Sequence, residues 1–352
     1  IINTRSYGAD PRRVARLAAA QVRGLQEHGV LATAKHFPGH GDTDVDSHIG
    51  LPVVSADRAR LDTLELVPFR AALDAGVSAV MAAHIAFPAL TGDSLPATLS
   101  PALTTGLLRD ELGFDGLVVV DALDMGAITE HFSREEAAVR ALRAGADVLL
   151  MPTDVGATID GVTDAVRRGE LDEARVDRSV RRILGLKAGL GLHRERAVSL
   201  ERVHDIVGSP EHLALADSVA QRSITLVRDR RGTVPIRPHR QRSVLGIVYT
   251  DDVDPFAGRV FRRELAARFE RVRTVVLDAE PHPDRLAELR EAAESADVVV
   301  FAPFIRVRDR KYGLAIAEPV AELVRDLAAR RPTIVASFGN PYLLGQFLEI
   351  DT

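Results

Sequence analysis

The chain has 352 residues, 46% of them hydrophobic, enough for two domains with separate cores, since single cores rarely grow past about 250 to 300 residues. Its 45 Lys+Arg against 50 Asp+Glu leave a formal charge of −5, which supplies no basic face for a nucleic acid. The absence of cysteine excludes disulfides, thiolate metal sites and a cysteine nucleophile, and no run of about 18 apolar residues offers a membrane span.

Neither compartment nor oligomeric state is encoded in these features. The opening Ile1-Ile2-Asn3-Thr4-Arg5-Ser6-Tyr7 reads like the interior of a protein, and Asp351-Thr352 follows a helix-like stretch with no capping signal, so the chain is expected to be cut at both ends. From residue 10 to about 190, amphipathic helices alternate with short apolar strands, the pattern of βα units around a parallel sheet. Asp10-Pro11 opens a helix that Gly29 ends, Ser100-Pro101 opens one that Gly113 ends, and Ser133 with Glu136 forms a capping box. The expected strands are Val30 to Lys35, Val77 to Ala83, Leu117 to Val120 and Asp147 to Met151. Each runs into a polar turn, at Lys35-His36, His84, Asp121 and Thr153-Asp154. Polar groups at the C-terminal ends of strands suggest a (β/α)₈ barrel, of which four strands are half; an open doubly wound sheet would place them alike.

A helix-like stretch from Asp172 to Leu190 closes this unit, and an irregular linker follows. Beyond it Ile224 to Val227, Val244 to Val248, Thr274 to Leu277, Val298 to Phe301 and Thr333 to Ala336 read as strands of a second α/β domain. The arginines at 228, 230, 231, 237, 240 and 242 read as a solvated loop, because Asp229, Gly232 and Pro235 dilute the run and no aromatics interleave.

The densest polar segment is Lys35-His36-Phe37-Pro38-Gly39-His40-Gly41-Asp42-Thr43-Asp44-Val45-Asp46-Ser47-His48. Asp42, Asp44 and Asp46 imitate the first three ligands of a calcium loop, but Ser47 stands where its glycine belongs and Val53 where its glutamate belongs. Zinc on His36 and His40 is disfavoured because Pro38-Gly39 forbids the helix that would align them. The other reading is acid–base work, since an aspartate two residues from a histidine, as in Asp46 and His48, can orient an imidazole that exchanges protons near neutral pH. Asp121, directly after Leu117-Val118-Val119-Val120, is a carboxylate at a strand end and a candidate nucleophile, with Asp124 its competitor.

The segment Lys35 to Gly41 followed by Asp46-Ser47-His48 resembles the signature of bacterial β-N-acetylglucosaminidases of glycoside hydrolase family 3. Arg5-Ser6-Tyr7-Gly8-Ala9-Asp10-Pro11, Met81-Ala82-Ala83-His84, Glu111-Leu112-Gly113-Phe114-Asp115-Gly116 and Val120-Asp121-Ala122-Leu123-Asp124-Met125-Gly126 agree in order and spacing. The likeness covers about residues 1 to 190, and Ala220 to Val227 resembles the opening of the family's second domain. It implies the C-terminal half of a (β/α)₈ TIM barrel at 1–192, a linker at 193–208 and a partial α/β sandwich domain at 209–352, with the first barrel strands and their sugar-binding carboxylate missing. It further implies Asp121 as nucleophile, His48 as acid/base oriented by Asp46, and Lys35, His36 and Arg5 as sugar-binding residues. His84 either touches the sugar or is a satisfied histidine at a strand end. The substrate implied is a glycan with terminal β-linked N-acetylglucosamine, such as a peptidoglycan fragment or chitooligosaccharide, hydrolysed with retention and without metal or cofactor. A β-glucosidase-type relative, a catalytically silent carbohydrate-binding protein and a metal-dependent barrel hydrolase are the alternatives.

Overall fold

A computed structural model describes residues 2–251, 254–306 and 315–351. The chain divides into two compact units, 1–197 and 198–352.

In the first unit the helix α1 (Pro11–Gln26) starts where Asp10 accepts the Arg13 N–H and Pro11 sets the first turn. Strand β1 (Thr33–Phe37) follows, then helices α2 (Arg58–Thr63) and α3 (Leu66–Asp74), strand β2 (Ala79–Ala82) and the short helix α4 (Pro88–Thr91). The expected α-helix after Ser100-Pro101 is wound more widely, as a π-helix over Ala102–Glu111, with Leu112 N–H bonding to the Leu107 carbonyl. Strand β3 (Leu117–Val120) then leads to helices α5 (Gly126–Thr129), α6 (Arg134–Ala144), α7 (Val155–Arg167) and α8 (Glu173–Gly189). The Ser133 hydroxyl accepts the Glu136 N–H at the start of α6, as expected of a cap.

The sheet order is β1-β2-β3, all parallel. The register sets Phe37 beside Ala82 and Ala82 beside Val120, so the turns that follow all three strands emerge along one edge. Val80, Ala82, Val118 and Val120 are sealed from solvent, which accounts for their continuous apolar run. Beneath them Phe37 meets Phe69 of α3 edge-on at 5.2 Å. The fourth expected strand, at 147–151, is reduced to a bridge from Val148 to Val119 with further bonds from Val120 N–H to the Val148 carbonyl and Leu123 N–H to the Leu150 carbonyl.

The second unit carries helices α9 (Leu200–Ile206), inside the expected linker, and α10 (Pro210–Ser223). A parallel sheet of order β5-β4-β6-β7 follows, made of β4 (Ser243–Tyr249), β5 (Arg271–Leu277), β6 (Val298–Pro303) and β7 (Thr333–Val335). Helices α11 (Arg259–Arg268), α12 (Pro283–Glu294) and α13 (Glu318–Arg330) alternate with its strands. The expected strand at Ile224 to Val227 is not formed: no described strand pairs with it and its apolar side chains are exposed, so β propensity without a neighbouring edge leaves it irregular.

Opposite the turn-bearing edge of the first sheet lies Asp147, whose side chain is completely buried. Its carboxylate accepts the Val118 N–H at 2.9 Å and the Ser179 hydroxyl at 2.6 Å, and pairs with Arg109 at 2.6 Å, Arg182 at 3.4 Å and Arg175 at 3.7 Å. Burial pulls the Arg109 and Arg175 pKa values down while Asp147 opposes that fall, so the pairing holds cationic side chains in a dry place. Asp147 thereby ties α8 and the π-helix to β3. Removing one partner of such a group strands the others, so Asp147→Ala is expected to lower the unfolding free energy by about 3–5 kcal/mol. Urea denaturation measures this, and a loss under about 1 kcal/mol would deny the network a structural role.

Candidate active site

The pairing of β1 with β2 slips between Lys35, opposite Met81, and Phe37, opposite Ala82, so His36 is an extra residue in a bulge at the strand end. Both Lys35–His36 and Phe37–Pro38 are cis. Lys35 is exposed, whereas His36 is buried with Nε2 3.7 Å from Asp121 Oδ2, beyond hydrogen-bond range but facing the same carboxylate. Burial lowers the His36 pKa to about 3, against the pull of Asp121 and with help from the charges of Lys35, His40 and Arg5. His36 is therefore a neutral imidazole at pH 7. Arg5, exposed at the end of the short 3₁₀ turn Asn3–Arg5, lies close enough to disfavour protonation of both His36 and His40.

Asp121 directly follows β3. Its N–H donates to the Ala82 carbonyl at 3.1 Å and its Oδ1 accepts the Ala122 N–H at 2.9 Å, fixing the carboxylate on the turn with Oδ2 toward His36. Asp124 is exposed, so of the two competing aspartates Asp121 is the one beside the histidine.

The loop after β1 folds on itself before it meets this turn. His40, buried, bonds Thr43 Oγ1 through Nδ1 at 2.7 Å and Ser47 Oγ through Nε2 at 3.2 Å. Burial brings its pKa down to about 4. Asp46 Oδ1 accepts both the His48 N–H at 3.0 Å and the ring Nδ1–H at 2.7 Å. That contact fixes a proton on Nδ1 and leaves Nε2 as the working atom of a ring that is 29% exposed. The carbonyls of Ser47 and His48 then accept the N–H groups of Ala127 and Gly126, each at 3.2 Å, which seats the loop on the first turn of α5, five residues beyond Asp121.

His84 is placed differently from a sugar-contacting residue. It is 1% exposed, with Nε2–H donating to the Ala122 carbonyl at 2.9 Å and Nδ1 against Thr98 Oγ1 at 2.8 Å. Both nitrogens are engaged and none is left for a hydroxyl, so His84 supports the Asp121 turn from beneath. Burial lowers its pKa too. Thr98, in the short 3₁₀ turn Ala97–Leu99, carried no motif in the sequence, whereas His40 and Gly126 stood inside quoted motif segments without a site role of their own. Among the described residues no group of three or more His, Cys, Asp or Glu side chains is placed to hold a metal.

A carboxylate at a strand end thus faces one neutral imidazole, and a second imidazole is backed by its own carboxylate, on a parallel α/β sheet. Residues 1–186 match the family model "Glycosyl hydrolase family 3 N terminal domain", and the chain belongs to that family. A Cellulomonas fimi protein described as a beta-N-acetylglucosaminidase/beta-glucosidase is 33% identical over 365 aligned positions, covering 98% of this chain and 64% of the relative. The structure of a family 3 beta-N-acetylglucosaminidase from Paenibacillus sp. str. FPU-7 superposes with a TM-score of 0.85 at 36% identity over 100% of this chain and 66% of that one. A beta-glucoside phosphorylase BglX superposes at 0.87 with 27% identity, covering 100% of this chain and 65% of its own. The chain thus spans somewhat under two thirds of these relatives.

The lowered histidines make stability pH-dependent. A pKa depressed on folding means that the unfolded chain binds more protons below its ordinary value of about 6.5. The contribution of the buried neutral rings is therefore complete above about pH 6.5 and is lost as pH falls toward 4 for His40 and 3 for His36. Unfolding free energies at pH 7, 6 and 5 are expected to decline, each ring adding up to about 1.4 kcal/mol per pH unit. His36→Asn should flatten the slope, and an unaltered slope would place that ring in contact with water.

Proposed function

We propose that the protein is a retaining glycosidase that removes terminal β-linked N-acetylglucosamine from glycans such as peptidoglycan fragments or chitooligosaccharides. The observation that carries this reading is the Asp46–His48 pair seated on the turn just beyond Asp121, which joins a proton donor to a strand-end carboxylate. The names of the Cellulomonas and Paenibacillus relatives support the substrate class.

In this mechanism Asp121 attacks the anomeric carbon while the aglycone oxygen departs with a proton from His48 Nε2. Because Asp46 holds a proton on Nδ1, the acid form of His48 is imidazolium, and the carboxylate offsets the charge. After departure the ring, neutral with Nε2 free, takes a proton from water as the water attacks the glycosyl ester on Asp121. The sugar leaves with its original configuration. Lys35, Arg5 and the neutral His36 hold sugar hydroxyls, His36 through the hydrogen-bonding atoms of an uncharged ring. A buried imidazolium beside Asp121 would pair with the nucleophile and blunt it, so the neutrality of His36 suits this role.

A second reading concerns the acceptor. An acid/base imidazole places no negative charge where a phosphate dianion would approach, and one similar structure is described as a beta-glucoside phosphorylase. Formation of a sugar 1-phosphate when inorganic phosphate is added would establish that acceptor; release of free sugar alone would establish water.

Turnover by the full protein separates the roles. Asp121→Ala is expected to abolish release from every substrate, since no ester can form. His48→Ala should cost about 10² to 10⁴-fold on a disaccharide but far less on a nitrophenyl glycoside, whose phenolate leaves without a proton, and a burst of nitrophenol should appear. Equal losses on both substrates would return His48 to a sugar-binding role. Nitrophenyl N-acetyl-β-glucosaminide should be turned over faster than nitrophenyl β-glucoside, and the reverse preference would sink the substrate assignment.

A further inference from the structure

Within the loop that bears His48 a set of bonds is local. Asp46 holds the His48 N–H and ring, its carbonyl accepts the N–H groups of Ile49 and Gly50 at 2.9 and 3.1 Å, and His40 holds Thr43 and Ser47. The ion pair from Asp42 to Arg60, at 2.8 Å, reaches outside the loop but joins two exposed side chains, a contact worth little in water. The bonds that carry residues 47 and 48 to a distant part of the chain end on Ala127 and Gly126.

At Gly126 this seat is as close as backbone can come. A Cβ there would stand 2.5 Å from the Ile49 carbonyl oxygen, 2.8 Å from its carbon and 3.0 Å from the His48 carbonyl oxygen. All three are backbone atoms, so no rotation of a side chain relieves the clash. Gly126 does not adopt a positive φ, and alanine is the better helix former, so the local backbone has no need of glycine. The requirement is set by the loop.

We infer that Gly126 is a positioning residue for the acid/base: its missing side chain lets the Ser47–Ile49 backbone sit on the first turn of α5, holding His48 at a fixed offset from Asp121. This rests on the reading of His48 as acid/base. Replacement by alanine forces the loop and the first turn of α5 apart, and the clashing atoms include none of Asp121, His36 or the side chains of the His48–Asp46 bond. The defect should therefore resemble a misplaced proton donor, for which a displacement of about 1 Å can cost on the order of 10²-fold.

The test compares the full protein with its Gly126→Ala and His48→Ala variants. It reads the ratio of kcat/KM on a β-N-acetylglucosaminyl disaccharide to kcat/KM on the nitrophenyl glycoside, together with amide exchange across 42–50 and in β2. Gly126→Ala is expected to lower the ratio about 10- to 100-fold and to speed exchange across 42–50, while β2 stays protected as in the parent. If His48→Ala lowers the ratio and Gly126→Ala leaves it within about two-fold, or leaves the loop's exchange unchanged, the inference is overturned. A general loss of protection including β2 overturns it as well, because Gly126 would then serve folding and not position. If His48→Ala itself does not move the ratio, the acid/base assignment falls first and this inference with it.

Discussion

Two hydrogen bonds of 3.2 Å, from Gly126 and Ala127 to the carbonyls of His48 and Ser47, join the two halves of this site. One half is rigid, since Asp121 stands at the end of a buried strand and is held by Ala82 and Ala122. The other is a glycine-flanked loop, whose ordering costs conformational entropy that its own local contacts must meet before it can be docked. Asp46 does much of that work. Its side chain fixes both the backbone and the ring of His48, and its carbonyl closes the turn to Ile49 and Gly50, so the loop meets α5 as a preassembled unit.

Solvent access then divides the histidines by task. His36, His40 and His84 are buried, and burial drives all three toward the neutral ring. Each spends its nitrogens differently: His40 inside the loop, His84 under the Asp121 turn, His36 facing the Asp121 carboxylate without bonding it. His48 alone of the four keeps substantial contact with water. The acid/base role proposed for His48 needs a ring that gains and loses a proton, and that position suits it better than a dry one, where the charged form is penalised.

The periodicity of the sequence made the parallel α/β organisation legible, because strands buried on both faces read as short apolar runs and capped helices announce their ends. Strand limits moved by a few residues: Val30 to Lys35 became Thr33–Phe37, since Val30 lies outside the paired register. Ile224 to Val227 failed as a strand because propensity is a statement about side chains, whereas a strand needs a partner. The contact of Asp46 with His48 and the strand-end place of Asp121 were legible in residue type and spacing. The role of His84 was not, because a histidine at a strand end has the same sequence signature whether its ring meets a substrate or, as here, Thr98 and a backbone carbonyl. Gly126 stood inside the matching Val120 to Gly126 segment, but its constraint was not legible there, since it comes from backbone atoms far away in sequence.

The two edges of the first sheet also answer different demands. Where the strands end, the chain is rich in glycine and polar turns, with His36 in a bulge and a loop held by a few bonds. Such an edge belongs to the parts of a fold that open most readily. Where β3 begins, Asp147 gathers three arginines, a hydroxyl and a backbone N–H around one fully buried carboxylate. The ties made there run to the π-helix and to α8, not to the loops, so that network can brace the strands without fixing the groups at their other ends. A carboxylate beside the same sheet thus has opposite value at the two edges: paired on every side it fastens the fold, and left facing a neutral imidazole it suits the nucleophilic role proposed for Asp121.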